Sequence, residues 1–235
     1  MYLKHSGHKL RLLALISYAP PKSKRGEGLF VGINMEWVTQ SKTHSFREQR
    51  MLHIKGTAVS GTMEAIVSRA GKEELARILA HLDEETKKVF HGTISPSSWY
   101  SCDAFARFLE ADIRETAGGN EQELIKRSEA VIERQLHGIY RMFVRLGSPE
   151  FVIRRIAAVH STYFDGVQII PEMHGRSSAT LQYVGFSKNH RILEFVIIGF
   201  FKKALEISGA KKVDAHFSVA MDNGEKFCEL VLHWE

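Results

Sequence analysis

Cysteine is scarce: Cys102 and Cys228 are the two present in 235 residues, and they stand far apart. With no framework of cysteines to staple a secreted scaffold, a reducing, cytoplasmic setting is expected. Long apolar runs are missing as well. The longest, Leu12–Ile16 and Phe195–Phe201, fall far short of the roughly 20 residues that a membrane-spanning helix needs. No basic, apolar and cleavage regions stand in order at the N-terminus, so no secretory leader is expected. Also absent are a Walker loop, a dinucleotide fingerprint, a nucleophile elbow and a zincin helix. No catalytic residue set and no metal-ligand set is therefore assigned. What remains, 44% hydrophobic and 25% charged residues, is the composition of an ordinary globular protein with a sizeable core.

The formal net charge is +5, which invites a nucleic-acid reading until its position is considered. Residues 1–50 carry nine lysines and arginines against three acids, a balance of +6, and the remaining residues come to −1. The basic excess belongs to a segment with Pro20-Pro21, the run Lys22-Ser23-Lys24-Arg25 and no sustained period. That segment reads as a basic, poorly ordered arm, or as an overlong start preceding Met35 or Met51. The folded part is expected to begin near Met51, and charge gives it no nucleic-acid face.

From Gly56 the apolar spacing is helical. Val59, Met63, Ile66 and Val67 share one face; Leu75, Ile78, Leu79 and Leu82 share another, with Gly71 between the two. Asp83-Glu84-Glu85 has the form of a helix start. Ser95–Tyr100 reads as an aromatic turn before a helix that stacks Phe105, Phe108, Leu109 and Ile113 and stops at Gly118-Gly119-Asn120. Glu121–Leu146 is expected to form one long core helix, and Ser148-Pro149 to cap the next, which runs to His160. After Asp165-Gly166 the period becomes that of strands: Val167–Ile170 and Ser178–Gly185, then a helix from His190 to Ser208, then Lys211–Val219 and Lys226–Trp234. Asp222-Asn223-Gly224 suits the last hairpin. Helices followed by a ββαββ run predict an α+β fold with an antiparallel sheet.

Twelve histidines invite metal or proton-transfer chemistry, but none has a partner at ligand spacing. His137, beside the stripe of the long helix, and His160, at the end of the next, are the two placed to face a pocket. Each is also compatible with a satisfied core histidine. Cys228 alternates with Leu230, Leu232 and Trp234 and reads as a buried, inert thiol. Cys102 opens a helix, where the dipole would lower its pKa. Trp99, Tyr100, Phe105, Phe108, Tyr140, Phe143, Tyr163 and Phe164 could wall an apolar cavity, although core packing explains them as well.

The stretches Lys55-Gly56-Thr57-Ala58, Ile94–Tyr100, Met142–Phe151 and Gly209–Val213 resemble a bacterial family of unassigned activity. That family is similar to the haem nitric-oxide-binding and 4-vinyl-reductase-type sensory domains, and the resemblance spans nearly all of Met51–Glu235. It implies a sensory or regulatory role. In haem-binding relatives a Tyr-x-Ser-x-Arg motif holds the propionates, whereas Tyr183-Val184-Gly185-Phe186-Ser187 has neither the serine nor the arginine in place. Vinyl-reductase-type domains often carry a Cys-x3-Gly-x3-Cys pair; here Ala220 stands at the first position and Cys228 at the second. Haem and a two-cysteine site are both disfavoured. The expectation is a cytoplasmic, homodimeric sensory domain that binds a small, largely apolar ligand between the long helix and the sheet. Trp99, His137, Tyr140, Phe143 and His160 are the pocket candidates. A protein-interaction adaptor without ligand and a divergent haem or metal sensor are the alternatives.

Overall fold

The segment nearest the start of the folded unit does not stay there. In the computed structural model, which describes residues 51–135 and 147–235, β1 (His53–Lys55) is the middle strand of a three-stranded antiparallel sheet. Its neighbours are β2 (Trp99–Ser101) and β3 (Phe164–Asp165). Ile54, 3% exposed, faces Tyr100 on one side and Phe164 on the other. This corrects the reading of Ser95–Tyr100 as turn alone, because Trp99 and Tyr100 belong to a strand. The chain passes straight from β1 into α1 (Gly56–Ala70). At Gly56 a Cβ would lie 2.0 Å from the Ser95 carbonyl oxygen, so only glycine fits the crossing.

The helical face expected for α1 buries Val59 and Ile66, and Gly71, at φ 89°, separates it from α2 (Lys72–Ala80). Asp83 caps α3 (Glu84–Val89): its Oδ1 accepts from the Thr86 amide at 2.9 Å, and the hydroxyl and amide of Thr86 hold its carboxyl below the usual range. α4 (Cys102–Ala117) buries Phe105, Phe108, Leu109 and Ile113 and ends at Gly118 in the left-handed region. α5 (Glu123–Gln135) buries Leu124 and Ile132; the remainder of the expected long helix lies outside the described residues. α6 (Pro149–His160) starts where the Ser148 hydroxyl accepts from the Phe151 amide at 3.3 Å.

The second sheet is antiparallel, in the order β4 (Gln168–Met173), β5 (Ser178–Val184), β7 (Phe227–His233), β6 (Asp214–Val219). Between β5 and β6 runs α7 (Leu193–Ile207), which gives the ββαββ run of an α+β fold. Alternation places Ala179, Leu181 and Tyr183 of β5 opposite Leu232, Leu230 and Cys228 of β7, all at most 2% exposed. No helix among the described residues is long and apolar enough to cross a membrane.

Helices α5 and α7 cross closely at Gly199. A Cβ there would meet the Ile125 carbonyl oxygen at 2.3 Å and the Ser128 Cβ at 2.7 Å, and Ser128 Oγ donates to the Val196 carbonyl at 2.7 Å. Both obstacles are close to backbone, so the helices must separate to admit a methyl group. Gly199→Ala is expected to cost about 1–3 kcal/mol of stability in urea denaturation; a variant as stable as the parent would show that the crossing yields freely.

Candidate functional site

A cavity of about 100 Å³ lies among α1, α4, α5 and α7, with β1 and β3 supplying Ile54 and Phe164 and α6 supplying His160. No residue of the four-stranded sheet lines it. The expected placement between long helix and sheet is thus corrected: the walls are mainly helical, and the larger sheet is reached only behind His160, whose ring packs on Tyr183. Phe105, Leu109, Leu124, Leu193, Val196 and Phe200 make the walls apolar.

His160 is 4% exposed, and its imidazole is framed by Phe164 at 5.7 Å, Tyr183 at 5.6 Å, Phe200 at 5.5 Å and Phe201 at 5.7 Å between ring centroids. Burial without a compensating charge pushes its pKa down to about 3. The ring is therefore neutral at pH 7, and its Nδ1 has no hydrogen-bond partner among the described residues. The hydroxyl of Tyr183, wholly buried beside it, is also without a partner among the described residues, and burial holds its pKa well above the ordinary value. Buried polar atoms are normally satisfied. Two unsatisfied groups on neighbouring rings mark this part of the core as unusual.

At the other polar feature of the cavity, Asp112 is 1% exposed and receives two guanidinium groups. Arg69 Nη2 lies 3.0 Å from Oδ1 and Arg127 Nη1 2.7 Å from Oδ2. Thr116 Oγ1 adds a hydrogen bond to Oδ1 at 3.1 Å. These residues come from α1, α4 and α5, and none of them stood out as a candidate in the sequence. One signal was available: Asp112 falls seven residues after Phe105, on the apolar face of α4, where a carboxylate demands a partner.

Of the remaining candidates, Trp99 is the one among the described residues. Trp99 is 41% exposed and carries Lys55 Nζ over its ring at 4.3 Å; it does not line the cavity. His137, Tyr140 and Phe143 lie outside the described residues. Cys102 does open α4, but burial, with Asp103 adjacent, raises its thiol to about 12, opposite to the expected effect of the helix dipole. Desolvation outweighs the dipole because the residue is fully buried. Cys228 is 2% exposed and likewise raised to about 12 by burial. Ser187, His190 and Asp103 gather a hydroxyl, an imidazole and a carboxylate, yet His190 Nδ1 accepts from the Ser187 amide at 3.0 Å. That lone pair caps a short 3-10 turn, Lys188–His190, and is not free to act as a base. No group of three or more His, Cys, Asp or Glu among the described residues could hold a metal ion.

This arrangement of helices and two antiparallel sheets is the fold of H-NOX domains. A variant H-NOX protein from K. algicida in the Fe(II) unliganded state matches with a TM-score of 0.58 and 13% identity, covering 77% of this chain and 97% of its own. An H-NOX protein from S. oneidensis in the Fe(II)NO ligation state gives 0.58 and 13%, over 77% of this chain and 99% of its own. An oxygen-binding H-NOX domain related to soluble guanylate cyclases gives 0.56 and 13%, over 77% and 95%. No family model and no curated protein matches the sequence. At this identity the likeness concerns the fold.

The residues present do not fit a haem. Pockets that enclose drug-sized or cofactor-sized molecules span roughly 300–1,000 Å³, several times the cavity's 100 Å³. The propionate-binding motif is also lost. Tyr183 is buried in β5 with its hydroxyl unpaired among the described residues, Gly185 and Ser187 stand where the serine and arginine would be, and Ser187 is engaged with His190. The next arginine in the chain, Arg191, is bound to Glu121 at 2.8 Å and to Asp222 at 3.2 Å.

Proposed function

We propose that residues 51–235 act as a sensory or regulatory domain that binds a small, largely apolar ligand directly, in the helical cavity beside His160. The observation carrying this reading is the cavity itself, apolar in its walls and bordered by a neutral imidazole. An apolar cavity of about 150 Å³ is enough to take up benzene or xenon, so a space of about 100 Å³ suits a ligand of a few heavy atoms. His160 would give such a ligand one oriented polar contact. In this reading the domain works in the cytoplasm as a homodimer, with the cavity's occupancy altering the packing of α1, α4, α5 and α7.

Small apolar molecules are expected to raise the melting temperature of the purified chain, by an amount equivalent to about 2.7 kcal/mol when the ligand is at a hundred times its Kd. Val196→Phe, which fills the cavity, is expected to abolish the response. Absence of any thermal shift across a panel of such molecules and xenon would sink the reading in favour of an adaptor with a packed core. Hemin titration should give no one-to-one Soret band; a stoichiometric band would restore the haem sensor. A monomeric mass in light scattering would remove the homodimer.

A further inference from the structure

One end of the cavity carries more positive charge than its own carboxylate needs. Arg69 and Arg127 both face Asp112, and among the described residues they are the only cationic groups lining the cavity; His160 is neutral. Each guanidinium makes a single-nitrogen contact to Asp112, whereas an arginine offers five N–H donors and its strongest carboxylate geometry uses two in parallel. One arginine would neutralise Asp112. The second leaves a formal surplus of one positive charge, with donors to spare, at the edge of apolar walls. The side chains of Arg69 and Arg127 are 35% and 18% accessible against 2% for Asp112. The arginines therefore form the solvent-facing rim, and His160 lies in the closed interior.

Resting on the reading of the cavity as a ligand site, we infer that its ligand is a small monocarboxylate. The apolar body, of about four carbons by comparison with benzene-sized cavities, lies against Leu109, Val196 and Phe200. The carboxylate lies on the free donors of Arg69 and Arg127. A purely apolar molecule leaves the surplus charge unanswered, and an inorganic anion leaves the apolar walls bare. Only a molecule with both parts answers both features. Asp112 holds the two guanidinium groups in place beforehand, so little side-chain freedom is lost on binding.

Calorimetric titration of the full chain with isovalerate, its neutral isostere isovaleramide, and acetate tests this. Isovalerate is expected to bind at least about tenfold more tightly than either of the others, as a charge-assisted pair implies, and to weaken with added salt. Arg69→Gln should lose about tenfold in isovalerate affinity, and Arg69→Lys, which keeps the charge, should lose less. Equal binding of isovalerate and isovaleramide would overturn the carboxylate assignment while leaving an apolar-ligand site standing. Equal binding of acetate and isovalerate would overturn the assignment of the apolar body to the cavity. Failure of both five-carbon compounds and of the apolar panel would overturn this inference and the reading beneath it together. If Arg69→Gln does not fold, the isovalerate-to-isovaleramide ratio and the salt dependence of the parent protein decide alone.

Discussion

Acidification from pH 7 to pH 5 is expected to destabilise the protein by about 2 kcal/mol more than it destabilises a His160→Phe variant. The folded-state pKa of His160 is lowered from 6.5 to about 3 by burial. The unfolded chain therefore binds a proton in this interval that the folded chain refuses. The contribution is fully present above pH 6.5 and is lost progressively as pH falls, and the loss is complete near pH 3, where it amounts to several kcal/mol. Other groups titrate in the same range. His190 is lowered mainly by burial and acts in the same direction; Glu110 and Glu194 are raised, also chiefly by burial, and oppose it. The comparison with His160→Phe cancels these contributions, which are common to both proteins. Phenylalanine keeps an aromatic ring among Phe164, Tyr183, Phe200 and Phe201, removes the unpartnered Nδ1, and has the adjoining cavity to receive its extra volume. Urea denaturation at the two pH values measures the difference. Identical losses in the two proteins would mean that the imidazole finds water or a partner in solution.

Asp112→Ala is expected to cost about 3 kcal/mol, the lower end of the range for breaking a buried ion pair. The lower end applies because Arg69 and Arg127 retain partial access to solvent, which screens the charges left behind. Three helices lose their common tie in this variant: α1 through Arg69, α5 through Arg127, and α4 itself. Asp112→Asn, which keeps the shape and one acceptor oxygen, should lose markedly less. Denaturation midpoints of the two variants at low and moderate salt provide the check. If Asp112→Ala is as stable as the parent, the guanidinium groups are already solvated by water and the triad is not what holds α4 to its neighbours.

Elements whose burial repeats along the chain were legible beforehand. The Phe105, Phe108, Leu109, Ile113 stripe fixes the inner face of α4. The alternation of Cys228, Leu230 and Leu232 fixes the inner face of β7. Asp83 and the Asp222-Asn223-Gly224 turn carry their geometry in their own side-chain chemistry and glycine. The strands β1, β2 and β3 were not legible, because two or three residues hold no period and Ile54 finds Tyr100 and Phe164 only through tertiary contacts. The site divides along the same line. His160 follows Ile153 and Ile156 on one helical face, so its inward position could be read. Trp99 gave no comparable signal, and its ring turned outward beneath Lys55. Arg69, Asp112 and Arg127 meet across three helices; the carboxylate on the apolar face of α4 signals that Asp112 needs a partner, but no local pattern names Arg69 and Arg127.

The central position of β1 also orders events in time. A chain made from its N-terminus presents His53–Lys55 early, yet β3 cannot pair with it until Phe164 and Asp165 have been synthesised. Closing pairs between distant parts of a sequence is slow relative to forming local helices. The three-stranded sheet is thus expected to be a late event in folding, completed after α1 to α6 exist in outline. The cavity borrows Ile54 and Phe164 from that sheet, so a competent site forms only when the last long-range pairing is made.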